Sequence, residues 1–273
     1  MTSVARPADT VGGHTELVRE WTASKDRWGT VLLVHGLGEH SGRYERVGKR
    51  MAAAGLDVVG FDLIGFGASS GPRADIEDWS LWLDQVEGHM RRLSDRGPVF
   101  LLGHSMGGLI ALDYVVSQRL PAPSALVLSA PALGGGRAWQ RPAALLLGRL
   151  AGRLKVPNMI RGEQLSRDPK VGEAYFADPL VVTSSTARLG AALFSAMGRV
   201  AGKVDSIGVP TLVLHGGDDT IVPAAVTAPL AAVPAVERRL YPRLRHELFN
   251  EPEGMEVVDE VVDWLSSRAP SGD

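Results

Sequence analysis

A chain of 273 residues with 45% hydrophobic and 22% charged side chains has the composition of a folded globular protein rather than a disordered one. Its 29 Lys and Arg against 31 Asp and Glu leave no global field to attract nucleic acid, and the absence of cysteine excludes disulfides, thiolate catalysis and Cys-based zinc sites. No apolar stretch approaches the roughly 18 to 20 residues that cross a bilayer; Met1 to Gly13, with one Arg and no apolar core, does not read as a signal peptide, so cytoplasmic residence is the expectation.

In chain order, the β-branched and Leu run Thr30 to Val34 predicts a buried strand that ends in the turn His35-Gly36-Leu37-Gly38. Tyr44 to Ala54 reads as a helix with Val47, Met51 and Ala54 on one face and Gly55 to stop it. Val58, Val59 and Phe61 predict a second strand, closing at Asp62. Trp79, Leu83, Val86, Met90 and Leu93 recur at helical steps of an amphipathic helix on a sheet. Val99 to Leu102 gives the next strand, Gly103 to Gly108 a turn, and Leu109 to Arg119 a helix. Further strands fall at Ala125 to Leu128, Thr211 to Leu214 and Val236 to Tyr241, with Pro252 opening a last helix through Val258, Val261, Val262 and Leu265.

Strands alternating with helices imply crossover connections, hence an α/β fold with a mostly parallel central sheet flanked by helices. Such sheets carry their chemistry beyond the carboxyl ends of the strands. The alternation breaks between Pro131 and Pro210, too long for a plain connection. Two helices are expected there, Ala143 to Leu154 with Leu146, Leu147, Leu150 and Leu154 in register, and Arg188 to Val204. The expectation is one domain, 1–273, with a cap inserted at about 132–205 whose apolar residues face inward; these leucines could equally dock the helices on the core. The apolar cap would also permit peripheral contact with a membrane.

Gly103-His104-Ser105-Met106-Gly107 is a G-x-S-x-G pattern placed where a strand gives way to a helix. A serine on that sharp turn projects its Oγ into an open site, and the small residues two before and two after it prevent collision. Its hydroxyl needs a base to take its proton and an acid to orient that base, following in the order Ser, acid, His. The strand from Thr211 runs into His215-Gly216-Gly217-Asp218-Asp219, and Leu244-Arg245-His246-Glu247 follows the strand to Tyr241.

Of seven histidines, only His246 follows the last strand. His14 precedes the first convincing strand, His40 and His89 lie in or near helices, His35 and His215 should hold turns, and the His104 ring should leave the serine turn in another direction. Two N–H donors for a developing oxyanion are expected from Met106, after the serine, and Leu37, in the first turn.

His35-Gly36-Leu37-Gly38-Glu39-His40-Ser41-Gly42-Arg43-Tyr44 and Gly103-His104-Ser105-Met106-Gly107-Gly108 resemble the monoacylglycerol lipases of the α/β-hydrolase superfamily. Ala174-Tyr175-Phe176-Ala177-Asp178-Pro179-Leu180 and His246-Glu247-Leu248-Phe249-Asn250-Glu251 are similar to bacterial members. The likeness spans roughly Thr30 to Leu265. It implies Ser105, Asp219 and His246 as the catalytic triad, Leu37 and Met106 as oxyanion donors, and Glu39, Arg43 and Tyr175 as the grip on a glycerol group. By their residue types alone, Glu39 and Arg43 could pair with each other and Tyr175 could be a core aromatic. The chain departs from the family at Asp62-Leu63-Ile64-Gly65-Phe66-Gly67, where relatives commonly read Asp-His-Arg-Gly-His-Gly; the change predicts a more apolar rim.

The expected function is hydrolysis of a monoacylglycerol through an acyl-enzyme, with no cofactor or metal. A lysophospholipase or general carboxylesterase is the alternative within enzymes, and a ligand-binding protein on the same scaffold the alternative outside them.

Overall fold

The computed structural model describes residues 2–135 and 139–269. In chain order the strands are β1 (Val4–Asp9), β2 (Thr15–Trp21), β3 (Gly29–Val34), β4 (Leu56–Phe61), β5 (Val99–His104), β6 (Ala125–Ser129), β7 (Lys155–Pro157), β8 (Ser184–Thr186), β9 (Thr211–Gly216) and β10 (Val236–Tyr241). The α-helices are α1 (Glu45–Ala53), α2 (Ser80–Ser94), α3 (Met106–Val116), α4 (Gln140–Leu150), α5 (Gly162–Leu165), α6 (Pro169–Ala177), α7 (Ala187–Ala201) and α8 (Gly254–Ser266).

Eight strands form one sheet in the order β1-β2-β4-β3-β5-β6-β9-β10. From β4 to β10 every pairing is parallel, and β1 and β2 add antiparallel to that edge. β3, β5, β6 and β9 are buried at every position, as strands covered on both faces must be. Alternation along β3 sends Leu32 and Val34 into one core, with α2 and α3, and Val31 and Leu33 into the other, with α1 and α8. This is the α/β-hydrolase architecture.

The first two strands have no counterpart among the elements expected from sequence. β1 is exposed at nearly every position, so it carries no apolar alternation. In β2 the inward position 16 is a glutamate, buried, accepting a hydrogen bond from Gln85 Nε2 at 2.8 Å and lying 3.0 Å from His89 Nε2, both from α2. A buried acid inside a strand erases the pattern that announces one.

Two further expectations are corrected. Leu63, Ile64 and Phe66 form no cavity rim: all three are fully buried in the core, with Phe66 against Trp82 and His35. The first insertion helix ends at Leu150, and Leu146, Leu150 and Leu154 face outward at 58, 77 and 52% exposure, while Leu147 lines a cavity beside α7. α4 packs on α7 through its small residues: a Cβ on Gly148 would lie 2.5 Å from Ala191 Cβ. That contact turns the residues two before and two after Gly148 away from the neighbour.

The whole segment between β6 and β9 holds α4 to α7 and the antiparallel pair β7–β8, and residues 136–138 of the expected cap lie outside the described residues. Leu189, Ala196 and Val200 of α7 join the main core. Polar anchors complete the fastening. Val182 N–H donates to Gly38 O at 2.8 Å, Thr186 Oγ1 to Asp75 at 2.6 Å, and Arg199 pairs with the fully buried Asp113 of α3.

Candidate active site

β5 passes into α3 through one residue, Ser105, whose φ of 52° and ψ of −116° lie where a side chain is strained. The glycines on either side are required by space. A Cβ on Gly107 would stand 2.2 Å from Val34 O, and one on Gly103 2.4 Å from Gly107 O. The helix begins at Met106, three residues before Leu109, so the turn is sharper than the sequence suggested.

The loop after β10 brings His246 Nε2 to 3.0 Å from Ser105 Oγ, and Nδ1 to 2.7 Å from Asp219 Oδ2 in the loop after β9. Asp219 Oδ1 accepts from Ile221 N and Val222 N, both at 2.9 Å. With the proton on Nδ1, the imidazole donates to the carboxylate and its Nε2 can accept from the hydroxyl. Burial would raise the Asp219 pKa, but His215, His246 and the Val222 amide together hold it well below the ordinary carboxylate range. Asp218, its neighbour, is exposed. All three of Ser105, Asp219 and His246 are nearly closed to solvent.

The other histidines sort themselves. His35 bonds Gly36 O and receives Leu63 N–H, and His215 reaches Val222 O at 2.8 Å, so both hold turns. His104 does not leave the site: its ring lies 4.9 Å from that of His246 and lines the same cavity, with Nδ1 3.1 Å from Ser129 O. Burial, then the nearby His246, pushes its pKa down to about 4, so it stays neutral at physiological pH.

Ser105 opens into a cavity of about 280 Å³ that Leu37 and Met106 also line. Met106 starts α3, where first-turn amides have no helical acceptor. Gly36 presses the first turn against the serine: a Cβ there would be 3.3 Å from Ser105 Cβ. A second cavity, about 420 Å³ and walled by α4, α7 and β7, shares Leu37, Gln140, Asn158, Leu193 and Phe194 with the first.

Glu39, Glu247 and Tyr175 also line the first cavity. Glu39 accepts from Gly36 N at 2.6 Å and Tyr44 Oη at 2.7 Å, and pairs with Arg43 Nη1 at 2.6 Å. Arg43 also grips both oxygens of Glu247, at 2.6 and 2.8 Å, and lies 4.8 Å from the Tyr175 ring centre without lining the main cavity. The pair that residue types alone allowed is therefore present, and it is buried. Tyr175 Oη is buried without a hydrogen-bond partner among the described residues; burial and Glu39 keep its phenol protonated.

Sequence reasoning passed over Glu247, Asn158, Leu193 and Phe194 as site residues. Only Glu247 left a signal, as an acid directly after the expected base. No group of three His, Asp or Glu side chains suited to a metal ion occurs among the described residues.

The family described as serine aminopeptidase, S33, matches residues 25–253. A monoacylglycerol lipase of Mycolicibacterium smegmatis is 37% identical over 94% of this chain and 95% of its own, and the phospholipase YtpA of Bacillus subtilis is 31% identical over 87% and 95%. The crystal structure of Paleococcus ferrophilus monoacylglycerol lipase superposes with a TM-score of 0.84 at 31% identity, covering 92% of this chain and 98% of that one.

Proposed function

This chain belongs to the serine aminopeptidase S33 family of α/β hydrolases, and on that footing we propose that it is a serine ester hydrolase that cleaves monoacylglycerol to glycerol and a fatty acid. The observation that carries the reading is the unbroken line Ser105 Oγ, His246, Asp219, with contacts of 3.0 and 2.7 Å, in a cavity that is polar where Glu39, Glu247 and Tyr175 line it and apolar where Leu193, Phe194 and Met197 do. In this reading Ser105 Oγ attacks the ester carbonyl and its proton passes to His246 Nε2. The Leu37 and Met106 amides hold the oxyanion. His246 then returns the proton to the departing glycerol oxygen, and water, activated by the same imidazole, releases the fatty acid. The segment 132–205 acts as a cap, with Leu193 and Phe194 at the passage from the first cavity to the second, where an acyl chain would run.

The polar lining favours a neutral alcohol over a phosphodiester. Two carboxylates and one guanidinium leave a net negative charge there, which would repel the phosphodiester of a lysophospholipid, whereas the unpartnered Tyr175 hydroxyl can donate to glycerol. We extend the reading to peripheral membrane contact. Trp139, Leu146, Leu150 and Met159 are exposed on the cap, and from 132 to 162 the sequence has Arg and Lys but no Asp or Glu. No helix among the described residues is long and apolar enough to cross a membrane.

The test is a panel of mono-, di- and triacylglycerols and a lysophospholipid with matched acyl chains. An added acyl group would lie against the buried charges of the polar lining and leave the Tyr175 hydroxyl unpaired, at about 1 to 3 kcal/mol, so monoacylglycerol should lead triacylglycerol by about tenfold to a hundredfold in kcat/KM. Equal rates on mono- and triacylglycerol would overturn the substrate, and failure of a fluorophosphonate probe to label Ser105 would overturn the chemistry.

A further inference from the structure

We infer that Arg43, held between Glu39 and Glu247, is a positioning residue that locks the loop carrying His246 to the turn carrying Leu37. The inference rests on the roles given above to Ser105, His246 and the two amides, and it assigns the Glu39–Arg43 pair a different task from gripping substrate.

The connection is continuous. Glu247 is the next residue after His246, and its two oxygens receive the two arms of the Arg43 guanidinium at 2.6 and 2.8 Å. Asn250 Nδ2 braces the same carboxylate at 2.8 Å. Arg43 Nη1 also reaches Glu39 Oε2 at 2.6 Å, and Glu39 Oε1 takes the Gly36 N–H at 2.6 Å, one residue before Leu37. The planar fork allows little play, and each side chain in the relay exposes 10% or less of its surface. A base loop and an oxyanion turn from distant parts of the chain thus share one rigid strut.

The same geometry argues against a direct grip on the alcohol. Glu39 has both oxygens engaged, Arg43 has its terminal nitrogens on carboxylates and its cation near the Tyr175 ring, and Arg43 is absent from the main cavity wall. Burial would raise the Glu39 pKa; Arg43, then His104 and His35, bring it down to about 2, so the carboxylate stays charged throughout turnover. Releasing the strut would let base and amide drift independently, and displacements near 1 Å are enough to lower rates by about a hundredfold.

The experiment uses the full chain with Glu247→Gln, Arg43→Met, Arg43→Lys and Tyr44→Phe, assayed on a monoacylglycerol and on the p-nitrophenyl ester of the same acid, with melting temperatures alongside. Glu247→Gln and Arg43→Met should lower kcat about 10- to 100-fold on both esters at unchanged KM. They should weaken an alkylboronic acid, which mimics the tetrahedral adduct, by the same factor, and Arg43→Lys should recover part of the loss. A loss confined to the monoacylglycerol would make these residues substrate contacts and overturn the proposal; so would lower melting temperatures with kcat intact. If Arg43→Met fails to fold, Tyr44→Phe, which removes one hydrogen bond from Glu39, decides: a drop in kcat of a few-fold on both esters supports the strut, and no change overturns it. Wild type that hydrolyses neither ester would instead overturn the reading of Ser105.

Discussion

At the carboxyl edge of the sheet, Ser105, Asp219 and His246 expose 9, 5 and 4% of their surface; on the insertion, Trp139, Leu146 and Leu150 expose 60, 58 and 77%. The first region is built from loops, yet backbone amides, paired carboxylates and glycines packed against carbonyls hold each functional atom in place. The second includes regular helices, yet its first, α4, has no fully buried residue and packs on α7, whereas the α5–α6 part of the same segment is bonded closely to the loop carrying His246 through Leu165, Ser166 and Arg167. Rigidity here follows the density of satisfied contacts and not the presence of secondary structure. Under the proposed function, the groups that would stabilise a transition state sit where the contacts are dense, and the exposed α4 of the insertion sits where they are sparse.

If that contrast is right, changes at the sheet edge should act on kcat with little effect elsewhere. Ser105→Ala should lower turnover by about four to six orders of magnitude, with a melting temperature near that of wild type, since the triad acts as a unit. Next, Asp219→Asn should cost about four orders in kcat while the exposed Asp218→Asn costs little, because only the former carboxylate touches His246. The reverse order would break the assignment of the acid.

Changes on the insertion side should act on selectivity. Phe194→Trp, at the junction of the two cavities, should shift the ratio of kcat/KM for long over short acyl chains down by about tenfold, measured on monoacylglycerols of graded length. A uniform loss at all lengths would mean that the second cavity is not used. Leu146→Glu with Leu150→Glu should change stability by about 0.5 kcal/mol or less and leave a soluble aryl ester unaffected, while abolishing sedimentation with anionic vesicles. Unchanged sedimentation would remove the membrane from the account.

A pH dependence sharpens the contrast by a smaller effect. His104 titrates near 4 when folded and near 6.5 in its unperturbed form, so the unfolded chain takes up the proton first as the pH falls. The stability from keeping this ring neutral is present above pH 6.5 and is lost progressively as pH falls from 6.5 towards 4. His104→Asn should flatten the fall in melting temperature across that window, and an unaltered slope would show that other groups carry it.

The sheet edge was also far more legible in the sequence than the insertion. Short apolar runs such as Thr211 to Leu214, bounded by Pro210 and Gly216, mark buried parallel strands by their length and flanking residues, and a serine between two glycines at a strand-to-helix turn is dictated by the room available there. The position of His246 after the last strand followed from the same alternation. β2 was lost because Glu16 occupies an inward position, a choice that makes sense only once Gln85 and His89 stand beside it.

The sequence by itself determined which residues share a face, where strands give way to helices, and which serine, acids and histidine fall at the functional end of the sheet. Those are matters of backbone preference and short-range periodicity, settled within a turn or two of chain. Only the tertiary structure decided that the leucines of α4 face outward, that His104 turns into the site, and that Arg43 meets Glu247 across 204 positions of sequence. Periodicity groups side chains, but the partner that packs against the group determines what it meets, and that partner comes from a distant part of the chain.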